Sequence, residues 1–235
     1  MTDDLPFRLP PVASAANANM PADVLSPELL ASLLVDGDEE LAAWTLRSAI
    51  AASTRAAVYD GILRDAMRLV GENWRSGRWS IAEEHLASRT LLAVLEQLRP
   101  ATTPRSRIGP LAVLAGVAGE QHTIGLICLE QVLTDDGWTV ANLGADLPDT
   151  DLAGYVARQQ VMLVALSASE EPRLNSLTDA VVAVRVAGGM RPLPILIGGI
   201  IAYQPGVKER TGADGVALDL AQALAFARKH RPAAS

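Results

Sequence analysis

The run Glu120-Gln121-His122-Thr123-Ile124-Gly125 sets one of only three histidines in the chain two residues after a carboxylate. A neutral imidazole is a good metal ligand. A carboxylate at that distance can accept the second ring N–H, which fixes the tautomer and raises the basicity of the other nitrogen. The chemistry available to the pair is metal ligation by His122, with Glu120 orienting the ring. Two more motifs lie downstream: Ser167-Ala168-Ser169, after 41 residues counted from Gly125, and Gly198-Gly199, after 28 residues counted from Ser169. Taken singly each is bland: a loop histidine is most often a surface residue, Ser167 a strand-end hydroxyl, and a glycine pair a tight turn. A phosphate-cradling loop is the local rival, but Gly116, Gly119 and Gly125 do not form G-x-G-x-x-G and no P-loop lysine is present after them.

The elements that must position these residues begin at Pro110. Strand patterns run over 111–116, 138–142, 161–167, 193–198 and 214–218, alternating with helix patterns near 123–136, 149–159, 175–188, 205–211 and 219–229. Asp149 and Asp219 read as helix caps. The alternation predicts a five-stranded parallel α/β domain over 110–230, with a short tail at 231–235. Such sheets bind ligands beyond the carboxyl ends of their strands, where the strand order reverses. In the common order 2-1-3-4-5 that point lies between the first and third strands, and His122 comes after the first while Ser167 ends the third.

Upstream, residues 26–98 read as a four-helix bundle. Ser26-Pro27-Glu28 is a helix start, and Asp36-Gly37 stops that helix. The second helix runs from about Asp38 to Ala52, with Leu41, Trp44, Leu46 and Ile50 as its apolar positions; Ser53 or Thr54 caps the third. Ser80-Ile81-Ala82-Glu83 fits a capping box for the fourth, with Trp79 before it as a hydrophobic staple. Trp44 and Trp138 read as structural. Residues 99–109, RPATTPRSRIG, read as a linker, and residues 1–25 as a disordered leader.

Composition narrows the function classes. A formal net charge of −7 without a basic block argues against nucleic-acid binding by this chain alone. No apolar run approaches the roughly 20 residues of a membrane span. A single cysteine, Cys128, excludes an internal disulfide; with no secretory signal this points to the cytoplasm. Cys128 falls within a helix pattern and reads as core.

With order and spacing in hand, residues 110–230 resemble the cobalamin-binding domain of corrinoid methyl carriers, methionine synthases and cobalamin-dependent regulators. That family carries an Asp-x-His-x-x-G loop, a serine motif and a glycine pair at these separations. This chain departs in having Glu120 for the usual aspartate and Ser169 where many members have Leu or Thr. The resemblance implies a Rossmann-like (flavodoxin-like) domain in which His122 binds cobalt in place of the cofactor's own benzimidazole. The displaced nucleotide tail would enter a slot where Ser167 hydrogen-bonds it and Gly198 and Gly199 allow close backbone approach. Gly125 and Ser169 join the same cofactor-binding set.

The helical half sharpens the resemblance. Trp74, nine residues, then Glu84-His85 is similar to the signature of light-dependent, adenosylcobalamin-binding regulators of the CarH type. That implies Trp74 packing on the upper ligand, Glu84 hydrogen-bonding it, and His85 nearby. On their own, Trp74 reads as bundle core and Glu84-His85 as a solvated helix face. In two respects the chain departs: residues 1–25 are too short for a helix-turn-helix, and Arg75 stands where well-known members have a histidine. Arginine keeps its proton and cannot replace an imidazole on cobalt. The expectation is a non-enzymatic cobalamin sensor, an adenosylcobalamin photoreceptor working through a homo-oligomer or a regulatory protein partner. A corrinoid methyl carrier using methylcobalamin is the alternative, and an adaptor with a vestigial site is the third reading.

Overall fold

The computed structural model describes residues 26–100, 109–190 and 192–232. The expected leader, most of the expected linker and the last three residues lie outside the described residues. The helical half comprises α1 (Pro27–Asp36), α2 (Glu39–Ala52), α3 (Arg55–Val58), a π turn (Tyr59–Leu63), α4 (Arg64–Arg75) and α5 (Ile81–Gln97). α3, the π turn and α4 form one unbroken run, so the architecture is four-helical, as expected.

Local sequence explains the boundaries. Ser26 Oγ accepts the Leu29 N–H with Pro27 at the first helical position, Asp38 caps α2, and Thr54 rather than Ser53 caps α3. Gly37 closes α1 at φ 76°, a conformation that costs glycine nothing. The Ser80–Glu83 capping box is complete in both directions. Trp79 is not a staple, because the position that should meet it, four residues into α5, is the polar Glu84; its ring packs on the bundle core instead. α2 buries Ala42, Ala43, Thr45 and Leu46 and packs Leu41 and Ile50 on the core, as their apolar character requires, while Trp44 stays half-buried.

The second half carries β1 (Leu111–Gly116), α6 (Ile124–Asp135), β2 (Thr139–Asn142), α7 (Asp149–Arg158), β3 (Val161–Ser167), α8 (Leu174–Gly188), β4 (Ile195–Gly198), α9 (Val207–Thr211), β5 (Gly215–Val216) and α10 (Leu220–Lys229). The strands are all parallel in the order β2-β1-β3-β4-β5, with helices on both faces. Near-continuous apolar strands are what burial on both faces demands. Asp219 caps α10 as expected. Asp149 does not cap α7: it lies inside the first turn, after Pro148, where its charge still suits the positive helix end.

The helical half is seated on α6 and α10. Cys128 and Val132 of α6 share the bundle core with Leu30, Tyr59 and Leu95. Arg55 holds the junction, donating to Asp135 (2.6 Å), Gln131 (2.9 Å), Tyr59 OH (3.0 Å) and the Leu98 carbonyl (2.9 Å). The Tyr59 hydroxyl donates to Gln131 Oε1 at 2.7 Å, and burial pushes its pKa up to about 12. Burial also raises the Cys128 thiol to about 12, which makes it an unreactive core residue. Among the described residues, no helix is long and apolar enough to cross a membrane.

Candidate functional site

Register places the three motifs side by side. Gly116 at the end of β1 is the partner of Ser167 at the end of β3, and Ser167 is the partner of Gly198 at the end of β4. The loop from β1 to α6 therefore leaves the sheet at its switch point, with β2 on one side and β3 on the other.

That loop is braced from below. The Gly119 N–H donates to Asp146 Oδ1 (2.6 Å), and the Asp146 N–H donates to the Glu120 carbonyl (2.8 Å). Asp146 sits at φ 53°, an uncommon conformation outside glycine that these bonds over-determine. A side chain at Gly116 would come within 3.3 Å of Glu120 Cγ, so the glycine is the space into which Glu120 folds. Glu120 is 1 % exposed, while the His122 ring is 74 % exposed.

Glu120 Oε1 accepts two bonds from His122, from the backbone N–H at 2.7 Å and from ring Nδ1 at 2.6 Å. Burial opposes ionisation of Glu120, but the His122 backbone N–H, the nearby Ser169 hydroxyl and the His122 ring outweigh it and hold the carboxyl below the usual carboxylate range. An ionised acceptor at 2.6 Å assigns the ring proton to Nδ1. The Nε2 lone pair is then left on the exposed side. Among the described residues, Glu120 Oε2 has no hydrogen-bond partner, and Ser169 lies near the carboxyl without closing a bond to it.

Beside the loop lies a largely apolar cleft of about 280 Å³, between β3, β4, α6 and α10. Gly125, Ser167, Gly198 and Gly199 line it, so the predicted serine and glycines do converge. The two glycines of the pair differ. A Cβ on Gly199, at φ 87°, would stand 2.3 Å from the Ala168 carbonyl oxygen, so the fold itself requires glycine there. A Cβ on Gly198 would meet nothing nearer than 4.0 Å, and one on Gly125 nothing within 4 Å; their missing side chains are cleft volume. The Ser167 hydroxyl makes no hydrogen bond among the described residues.

Trp74 lies on α4, and Glu84 and His85 lie on α5. Trp74 at the end of α4 is 45 % exposed, not bundle core. Glu84 accepts from Ser88 Oγ (3.0 Å) and lies 3.6 Å from His85 Nε2. Among the described residues, no hydrogen bond or ion pair joins Trp74 to Glu84 or His85, or any of the three to His122. Sequence reasoning passed over Asp146, for which the Gly144-Ala145-Asp146 turn after β2 was the available signal. It also passed over Asp60 and Arg64, which reach the cleft from the helical half and carry no local signal.

The donor set defines what metal fits. Among the described residues, no group of three or more His, Cys, Asp or Glu could hold a metal ion. A lone, well-oriented imidazole suits a metal that arrives already chelated and needs one axial ligand. A flat macrocycle with a detachable tail also suits an exposed ring beside an apolar slot kept open by Gly125 and Gly198.

Comparison with known proteins agrees with this. Residues 28–99 match one family model described as a B12 binding domain, and residues 110–225 match a second. The HTH-type transcriptional repressors CarA and CarH of Myxococcus xanthus are 34 % and 32 % identical, over 62 % and 67 % of this chain. The chain spans about half the length of these two, 48 % and 52 %. Dimethylamine corrinoid protein 2 of Methanosarcina acetivorans is 24 % identical over 71 % of this chain and 78 % of its own length. The monomethylamine corrinoid protein of Methanosarcina barkeri superposes with a TM-score of 0.72 at 18 % identity, covering 88 % of this chain and 98 % of that one, and so shares its fold.

Proposed function

The chain belongs to the B12 binding domain family, and from that premise we propose that it is a cobalamin-dependent sensor that holds adenosylcobalamin and signals through its helical half without turning over a substrate. The observation that carries the reading is the Glu120–His122 pair: a buried carboxylate fixes Nδ1–H and leaves Nε2 free on an exposed ring beside an apolar slot. The bound cofactor would supply a cobalt–carbon bond that light can break.

The remaining work falls to the chain's own residues. His122 would sit below cobalt, held by Glu120, with Ser169 beside the carboxylate. The unpartnered Ser167 hydroxyl would bond the nucleotide tail, in space left by Gly125 and Gly198, with Gly199 shaping the turn. Trp74 offers an exposed indole to the upper ligand and Glu84 an acceptor, with His85 beside it. Contacts of Trp74 and Glu84 that depend on that ligand would change when it leaves. The shift would then reach an oligomer interface or a regulatory partner. Identity above 30 % to two transcriptional repressors supports the regulatory role. Arg75 cannot serve as an axial ligand in this chain.

A second reading, a corrinoid methyl carrier with methylcobalamin, is favoured by the larger share of the dimethylamine corrinoid protein that aligns. It keeps His122 below cobalt but needs a methyltransferase partner. One experiment separates the two. The apo protein is mixed with adenosyl- or methylcobalamin in the dark, and visible spectra and molar mass are recorded before and after illumination. Binding of neither cofactor refutes both readings. Adenosylcobalamin binding without a light-dependent change in mass, shape or partner affinity removes the photosensor. An unchanged spectrum in His122→Ala removes the assigned ligand.

A further inference from the structure

The apolar cleft beside Gly198 has a charged mouth, and part of that mouth comes from the helical half. Asp60 lies in the π turn Tyr59–Leu63, and Arg64 is the first residue after it. A π turn carries one residue more than the α-helix around it and re-aims the side chains beyond it, and such turns recur at functional sites. Here it brings both side chains to the cleft.

The acidic groups at the mouth are already committed. Asp60 accepts the Leu220 N–H (2.8 Å) and the Ala221 N–H (3.0 Å) at the start of α10. Asp219 accepts the Gln222 N–H (2.7 Å) and Nε2 (3.0 Å). Both charges are answered by the positive end of α10. Arg64 is not committed: among the described residues its guanidinium makes no hydrogen bond and no ion pair, whereas Arg55, Arg68 and Arg99 each do. It is the one cation among the described residues that line the cleft.

We propose that Arg64 binds the anionic phosphodiester of the cofactor's nucleotide tail, so that the helical half helps select a complete corrinoid over one that lacks the tail. The inference rests on the cobalamin function proposed for the chain. The apolar slot suits the flat base of the tail, and the phosphate that links base to macrocycle cannot enter apolar surroundings with it unless it finds a partner. A guanidinium at the mouth supplies a permanent charge and a fork of donors matched to phosphate oxygens.

The test compares wild type, Arg64→Ala and Arg64→Lys, each titrated in the dark with aquacobalamin and with cobinamide, which lacks phosphate, ribose and base. Visible spectra report binding, and thermal unfolding by circular dichroism checks the fold. Arg64→Ala is expected to unfold like wild type and to lose about tenfold in affinity for aquacobalamin, as for one charge-assisted bond near solvent. It should keep wild-type affinity for cobinamide, and Arg64→Lys should recover part of the loss. The gap between wild type and Arg64→Ala should narrow as salt is raised, because the contact is ionic and exposed. No loss, an equal loss for both corrinoids, or a loss that ignores salt overturns the proposal. Where cobinamide binds too weakly to titrate, the salt comparison decides. Failure of wild type to bind either corrinoid refutes the cobalamin reading itself, before any Arg64 variant is considered.

Discussion

Gly198 and Gly199 are adjacent and line one cleft, yet their replacement should fail in opposite ways. At Gly199 the backbone has φ 87°, and an added Cβ would stand 2.3 Å from the Ala168 carbonyl oxygen and 3.0 Å from Ser167 Oγ. The backbone conformation alone costs a non-glycine residue about 1–3 kcal/mol, and forcing an atom into a packed site costs about 1–3 kcal/mol more. Gly199→Ala should therefore lose about 3 kcal/mol, which at roughly 2–4 °C per kcal/mol for a chain of this size lowers Tm by about 6–12 °C. At Gly198 the nearest atom to an added Cβ is the Ala217 carbonyl oxygen, at 4.0 Å. Gly198→Val should keep its Tm within about 2 °C, the scale of ordinary unstrained substitutions, but narrow the slot and weaken aquacobalamin binding at least tenfold. Thermal unfolding of the apo proteins and spectroscopic titration measure the two effects separately. A Gly199→Ala protein as stable as wild type would refute the steric argument. A Gly198→Val protein that binds as wild type would refute placing the tail in this cleft.

Three other outcomes are expected from the same geometry. Glu120→Gln removes the charge that fixes His122 Nδ1–H and leaves an amide where Oε2 already lacks a partner; cobalamin affinity by titration should fall about 10–100-fold, and an unchanged affinity sinks the orienting role. Arg55→Ala leaves the Leu98 carbonyl and Asp135 without a donor at the junction of the two halves; because Asp135 is partly solvated, the loss should be about 2 kcal/mol, read as a Tm drop of about 4–8 °C. Tyr59 has a folded pKa raised from 10.0 to about 12, so its contribution is complete below pH 10 and is lost as pH rises through that window, by up to about 3 kcal/mol; Tyr59→Phe should flatten this alkaline decline in urea unfolding, and an identical slope in both proteins would exclude Tyr59 as its source.

The sheet could be read from the sequence because its strands are buried on both faces, so apolar runs of about five to seven residues stand out between helical periods. Helix starts were equally plain where a side chain does the capping, at Ser26, Thr54, Ser80 and Asp219. Reasoning from residue size failed at Trp44, which stays half-buried beside the buried Ala42 and Ala43, and at Trp79, whose partner position holds Glu84. The site was legible along one strand edge, since His122, Ser167 and Gly198 are placed by strand ends in register. It was not legible where two distant segments meet. The burial of Glu120 depends on the room left by Gly116 and on Asp146 from the next loop. Arg64 reaches the cleft only because the helical half seats on α6 and α10, and because a π turn, which no residue type announces, precedes it.

If the chain is the sensor proposed above, that seating has a mechanical consequence. α4 begins at Arg64, beside the apolar cleft, and ends at Trp74-Arg75; its twelve residues span about 18 Å at 1.5 Å per residue. Just before it, Arg55 and Asp60 fasten the chain to α6 and to the start of α10. The other end carries an indole 45 % exposed to solvent. Ala66 and Val70 pack α4 into the bundle core, so a change of contact at its tip is shared with the helices around it. On the proposed reading, loss of the upper ligand at Trp74 would swing the outer part of the bundle, while His122 and the tail cleft stay in place. The loop that carries His122 is held more locally, because Gly119 and Glu120 both bond Asp146 in the segment after β2. Signal and retention of the cofactor would then be divided between the two ends of one helix, with Arg64 at the end that Arg55 and Asp60 anchor.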